Sequence, residues 1–195
     1  MAAPTPIESG GRLVPGGDRD LDQLKQEVQR RADHSMPPLA GITPDDARAA
    51  LSQITSLDRE QWALAFSGIA DRYWDRALAL DVKDRAAAAR EYWRAWRLHH
   101  FARWPTENSP AKQYARRRAL EAFDAYARLL DPPIEKVRIP FESREIVGYL
   151  RVPANVHPAP IVFGIAGLDS RKEDVAAHTD AYLQRGIGLF AIDLP

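Results

Sequence analysis

The stretch Pro160-Ile161-Val162-Phe163-Gly164-Ile165-Ala166-Gly167-Leu168-Asp169-Ser170-Arg171-Lys172-Glu173-Asp174, with the run from Ile187 to Asp193 that follows it, decides the fold. The first apolar run is too short for a helix of ordinary length and is apolar on both alternating faces, as a parallel strand covered on both sides should be. A Gly-containing polar turn comes next. Val175, Ala176, Tyr182 and Leu183 then mark a helix ending at Gly186, and a second apolar run closes on Asp193. Strand, helix and strand in that order make a βαβ unit.

Upstream the period is two. Val137 and Ile139 alternate with Lys136 and Arg138, Phe141-Glu142-Ser143-Arg144 turns the chain, and Glu145 to Val152 supplies a hairpin partner. Pro153 to Pro160 is a proline-marked loop. The double proline of Asp131-Pro132-Pro133 separates these strands from a helical half.

Five helices are expected in that half. Leu21, Leu24, Val28 and Ala32 give the first, before Pro37-Pro38 and Gly41 stop it. Thr43-Pro44-Asp45-Asp46 opens the second with a capping hydroxyl, a proline at the first helical position and early carboxylates, and it should run to about Ile54. Ser56 is the expected cap of the third, with Trp62, Phe66, Ile69, Tyr73 and Ala77 in one stripe. Asp84 begins the fourth, which aligns Tyr92, Trp96, His99 and Arg103 and ends at Trp104-Pro105; Ser109-Pro110 opens the fifth, with Tyr114, Phe123, Tyr126 and Leu130 as its apolar side. Residues 1–17, rich in Pro and Gly, are expected to be a disordered tail. The expected division is therefore a tail over 1–17, a helical domain over 18–133 and a hairpin plus βαβ unit over 134–195, an α/β chain overall. No internal repeat is evident, and an irregular helical bundle is preferred to a repeat array.

The totals exclude several classes. The 195 residues carry 27 basic and 27 acidic side chains, so no net field draws in nucleic acid or an anionic membrane. No cysteine is present, which removes disulfides, thiolate metal sites and a Cys nucleophile. No stretch approaches about 18 consecutive apolar residues and the N-terminus lacks an apolar leader core. A cytoplasmic protein without cofactor or metal is expected.

Candidate chemistry is sparse. A nucleophile elbow needs Gly-x-Ser-x-Gly between strand and helix, and the chain has none. Ser170 reads as a loop or helix-capping hydroxyl rather than a nucleophile. His99 and His100 diverge by about 100° on their helix and cannot share a metal, while Asp174 and His178, four apart, read as an exposed pair. Arg116-Arg117-Arg118 reads as a solvated face with one inward stem. The five Trp residues, all in the helical half, suit packing, or flat walls over an aromatic substrate. A nucleotide-binding βαβ module is disfavoured because Gly167-Leu168-Asp169-Ser170 lacks the further glycines that pyrophosphate needs.

From Arg90 to Pro195 the chain resembles the α/β-hydrolase group that includes 2,6-dihydroxypseudooxynicotine hydrolase, fungal polyketide-shortening hydrolases and fermentation-respiration switch esterases. The resemblance rests on Tyr92-Trp93-Arg94-Ala95-Trp96, Leu130-Asp131-Pro132-Pro133, Val137-Arg138-Ile139-Pro140-Phe141, Gly148-Tyr149-Leu150-Arg151-Val152-Pro153, Ala166 to Glu173, and Arg185-Gly186-Ile187 leading to Asp193-Leu194-Pro195, in that order. Ala166 stands where the group has a first Gly. The resemblance implies a helical cap followed by the first strands of a truncated α/β-hydrolase sheet, and carbonyl-directed Ser-His-acid chemistry on esters, amides or activated ketones, of aromatic or polyketide-like substrates. By the same resemblance Gly167 and Leu168 form the oxyanion loop, the alternative being an ordinary tight turn, and Asp169, Ser170, Lys172 and Glu173 support it. Trp93 and Trp96 are the candidate substrate-lining residues. The nucleophile, acid and base are absent from these residues, so the chain is expected to be inactive alone, with an apolar edge on Ile161 to Ala166 where the next strand would pair. The partners implied are a small-molecule substrate and either a second copy or a completing chain, neither nucleic acid nor membrane. The rival expectation is a non-catalytic helical interaction module.

Overall fold

The structure is a computed structural model that describes residues 19–167 and 169–193. The expected tail, Leu168 and the final Leu194-Pro195 lie outside the described residues. Among the described residues five helices come first, α1 (Leu21–Asp33), α2 (Pro44–Leu51), α3 (Arg59–Leu80), α4 (Arg85–Ala102) and α5 (Pro110–Leu129). Each starts where a side-chain oxygen accepts a first-turn N–H: Asp20 from Gln23, Thr43 from Asp46, Asp58 from Glu60, Asp84 from Ala87 and Ser109 from Lys112. The third cap differs from expectation. Ser56 accepts from the Asp58 N–H and donates to Gln61 Oε1, which holds the preceding turn and leaves Asp58 to cap α3.

The long helices pack closely because their buried faces are largely alanine: Ala63, Ala70 and Ala77 on α3, Ala88 and Ala95 on α4, Ala115, Ala119 and Ala122 on α5. Aromatics fill the remaining space. Trp96 contacts Trp93 and Phe123 at ring-centroid distances of 4.9 Å each, and Phe123 meets Tyr149 of the sheet at 4.8 Å. One core cluster therefore runs from Val28 in α1 to Leu189 and Ala191 in the last strand.

After Pro132-Pro133 the chain forms β1 (Glu135–Phe141), β2 (Arg144–Arg151), β3 (Ile161–Ile165), the short helices α6 (Lys172–Ala176) and α7 (Asp180–Leu183), and β4 (Gly188–Ile192). The sheet order is β1-β2-β4-β3; β1 with β2 and β2 with β4 are antiparallel, and β3 with β4 is parallel. The fold is thus a helical region followed by a small mixed sheet, an α/β arrangement.

Three local expectations need correction. The helix expected between β3 and β4 is broken in two at residues 177–179, where Thr179 is buried and its hydroxyl accepts from Arg151 Nη1 at 2.9 Å. Arg151, itself buried, also donates to Asp180 and to the Pro132 carbonyl, so it clamps α7 and the double-proline turn onto β2. Second, only β4 has the double cover expected of both parallel strands: β3 forms the expected sheet edge, but Ile161, Phe163 and Ile165 are exposed by 41%, 65% and 53%. Third, two of the three arginines at 116–118 turn inward, Arg116 towards Glu173 and Arg118 over the Trp74 ring at 4.3 Å; only Arg117 is exposed.

Candidate active-site loop and cavity

The loop from Ala166 to Asp174 is fixed by bonds that reach in three directions. Ala166 N–H donates to the Ile192 carbonyl at 3.0 Å, extending the β3–β4 ladder. Gly167 N–H donates to Ser170 Oγ at 3.0 Å, which folds the turn back on itself; Ser170 is a loop hydroxyl, and Arg171 is the residue that starts α6. Lys172 donates through its backbone N–H to Asp193 Oδ1 and through Nζ to Asp193 Oδ2, both at 2.7 Å, and so ties the loop to the end of β4. Glu173 is fully buried against Lys172 Nζ at 3.3 Å and Arg116 Nη1 at 3.4 Å. Leu168, the residue expected to carry the oxyanion donor, lies outside the described residues.

Asp174 makes the third connection, to the helical region. Its carboxylate accepts from Arg97 Nη1 at 2.7 Å and from the Arg171 N–H at 3.0 Å, and lies 3.0 Å from His100 Nε2. Arg97 also donates to the Ala40 carbonyl at 2.8 Å, so one guanidinium joins the α1–α2 connection, α4 and the loop. The pairing of Asp174 with an exposed His178, expected from their spacing, is not what forms; His178 stays exposed and Asp174 turns inward. Burial pushes the Asp174 carboxyl up, but the His100 hydrogen bond, the Arg97 charge and the Arg171 N–H outweigh it, and the net shift is well below the usual carboxylate range. Burial dominates at His100 and pushes its pKa down, with Arg103 and Arg97 adding to that against Asp174. His100 is therefore a neutral, buried ring between a carboxylate and the Arg103 guanidinium, whose Nη2 is 2.9 Å from the same nitrogen. His99, on the next face, is fully buried and 3.2 Å from Asp71 Oδ1 without the alignment of a hydrogen bond.

A cavity of about 830 Å³ opens between the helices and this loop. Asp169, Ser170, Asp174 and His178 line it from the loop side, and Trp62, Phe66, Phe101 and Trp104 with Leu24 and Val28 form its apolar walls. Trp93 and Trp96, the candidates from sequence, do not line it: Trp96 is 1% exposed in the aromatic core and Trp93 packs against that core. Of the five Trp residues the wall is built by Trp62 and Trp104. Arg97 and His100 also face the cavity, and their spacing with Arg103 along α4 was the one local sign of a polar seam; the partner carboxylate lies 77 residues from Arg97. Among the described residues no group of three or more His, Asp or Glu is placed to hold a metal ion, and no helix is long and apolar enough to cross a membrane.

This arrangement has relatives. The 20-hydroxy-prefusarin hydrolase of Gibberella moniliformis is 30% identical over 170 residues, which span 81% of this chain and 40% of that protein. Among solved structures, 2,6-dihydroxy-pseudo-oxynicotine hydrolase superposes with a TM-score of 0.65 at 23% identity, covering 80% of this chain and 43% of the other, and AbyA5 superposes with a TM-score of 0.59 at 21% identity, covering 91% and 45%. These likenesses place the fold among the α/β-hydrolases, and the chain spans about two fifths of the length of the curated relatives it matches. Residues 53–195 match the FrsA-like esterase family, and the chain belongs to that family of hydrolases.

Proposed function

We propose that the chain is the substrate-enclosing and oxyanion-binding part of a serine-type hydrolase that attacks an ester, amide or activated-ketone carbonyl. The helical region acts as the cap, the cavity beneath it takes the substrate, and the Gly167-Leu168 turn presents a backbone N–H to the developing oxyanion. The donor, as the family resemblance implies, is the Leu168 amide, and the Gly167 N–H is engaged with Ser170 Oγ. The observation that carries this is the cavity of about 830 Å³ with Ser170 and Asp174 of the anchored loop in its wall. A donor stabilises charge best when it need not reorganise as the charge appears, and the bonds of Lys172, Glu173 and Asp174 to three separate elements anchor the residues that follow the turn. Aromatic or polyketide-like substrates suit the Trp62 and Trp104 walls.

The nucleophile is assigned to a group outside the 195 residues, since Gly-x-Ser-x-Gly does not occur among them, and the acid and base are assigned outside with it because they follow the nucleophile in the group that the chain resembles. A second reading, a subunit whose sheet is completed by another chain, is favoured by the exposed apolar edge of β3. A serine-directed aryl phosphonate tests the assignment. The purified chain should neither hydrolyse an activated aryl ester nor acquire a phosphonate adduct, whereas the protein purified from its native source should do both, with the adduct on a serine not found in the chain. Adduct formation on Ser170 would overturn the assignment.

A further inference from the structure

The charges around the cavity are unequally compensated. Arg31 is paired with Glu27 at 2.7 Å and Arg97 with Asp174 at 2.7 Å. Lys112 is different. It faces the cavity from the first turn of α5, is only 8% exposed, and its Nζ donates to the Trp104 carbonyl at 3.1 Å with no carboxylate within ion-pair distance among the described residues. The acidic groups nearest in effect are engaged elsewhere: Glu60 accepts from the Ala111 N–H at 2.9 Å, and Glu107 faces Arg103 at 3.3 Å and Arg171 at 3.6 Å. Arg59, exposed at the same cavity, adds a second positive charge and forms no ion pair among the described residues. Burial first, and Arg59 second, push the Lys112 pKa down against Glu107 and Glu60, as expected of an ammonium short of counter-charge.

A buried ammonium is costly unless something compensates it. Here it stands at one side of an aromatic-walled space whose volume is that of a pocket for a drug-sized molecule, roughly 300–1,000 Å³. We propose that the cavity binds a molecule with an aromatic or extended apolar body and one carboxylate, that Lys112 holds the carboxylate with help from Arg59, and that this charge pair selects acidic substrates over their neutral analogues. The proposal rests on the cavity being the substrate site.

Isothermal titration of the full chain with 2-naphthoate and with the neutral isostere 2-naphthamide tests it. Naphthoate should bind about tenfold tighter, the effect of one charge-assisted bond, and added salt should shrink that ratio. Lys112→Met should bring the two ligands to equal affinity, and Arg59→Gln, at an exposed position, should reduce the ratio in a chain that folds normally. Equal affinity for the two ligands in the unaltered chain, or a ratio that survives both substitutions, overturns the anion site while leaving the cavity as a binding site. Failure of both ligands to bind the unaltered chain overturns the anion site and the cavity reading together. Should Lys112→Met not fold, the Arg59→Gln ratio and the salt dependence decide.

Discussion

Replacing Asp174 by Ala should loosen the junction between helices and sheet by an amount set by the charge it leaves behind. The Arg97 side chain is 9% exposed and that of Asp174 20%, so this is a mostly buried pair at 2.7 Å with two further contacts on the carboxylate, from Arg171 N–H and His100. Removing one partner of a buried pair costs about 3–5 kcal/mol, mainly through the uncompensated charge. The backbone carbonyls of Ala40 and Pro38 stay with Arg97, which puts the loss at the lower end, about 3 kcal/mol. For a chain of this size that is a fall in Tm of about 6–12 °C. If the stranded guanidinium is the cause, Arg97→Met combined with Asp174→Ala should recover at least about 1 kcal/mol of the loss, since removing both charges is far cheaper than removing one. Urea unfolding followed by far-UV circular dichroism measures all four members of the cycle. The pH dependence fixes the sign: a carboxyl whose folded pKa is depressed contributes stability above its unfolded value, about 3.9, and loses it as pH falls through the folded value. The difference between parent and Asp174→Ala should hold steady from neutral pH down to about pH 5 and shrink only below about pH 4. Additive single-site losses, or an Asp174→Ala variant within about 0.5 kcal/mol of the parent, would refute the account.

Two further outcomes are expected. His99 and His100 both have pKa values lowered chiefly by burial, so the unfolded chain takes up protons near pH 6.5 that the folded chain does not; stability should fall with pH below about 6.5, by up to about 1.4 kcal/mol per unit for each ring, and His100→Gln should flatten that slope in the same urea series. Phe163, 65% exposed at the β3 edge, should drive self-association, so Phe163→Lys should raise the concentration at which light scattering begins; an unchanged onset would mean that the edge is not the sticky surface.

What the sequence carried was local. Helix starts at Asp84, at Thr43-Pro44 and at Ser109-Pro110 are settled by a side-chain oxygen and a fixed proline φ within a few residues, and the strands by the change of period after Pro133. The family was legible for the same reason, because an ordered series of short motifs needs no contact to be seen. The apolar side of α5 was only half legible: beside the large side chains, Ala115, Ala119 and Ala122 are fully buried, and small side chains of this kind let a neighbouring helix approach.

Tertiary structure decided the rest, and in each case the deciding partner was distant in the chain. Asp174 meets Arg97 and His100 instead of His178 because those two side chains reach it from α4, a juxtaposition that no i,i+4 spacing can express. Trp62 and Trp104 became cavity walls and Trp96 core, although all five Trp residues look alike in sequence, because burial depends on which neighbour covers each ring. β3 and β4 have the same apolar character, yet β4 is covered and β3 is left exposed at Ile161, Phe163 and Ile165, because cover comes from segments distant in the chain. The amino-acid sequence by itself determined the elements and the family; only the assembled chain decided which charges are buried, which remain unpaired and where the cavity lies, since those are free energies of desolvation and contact that exist only once remote segments meet.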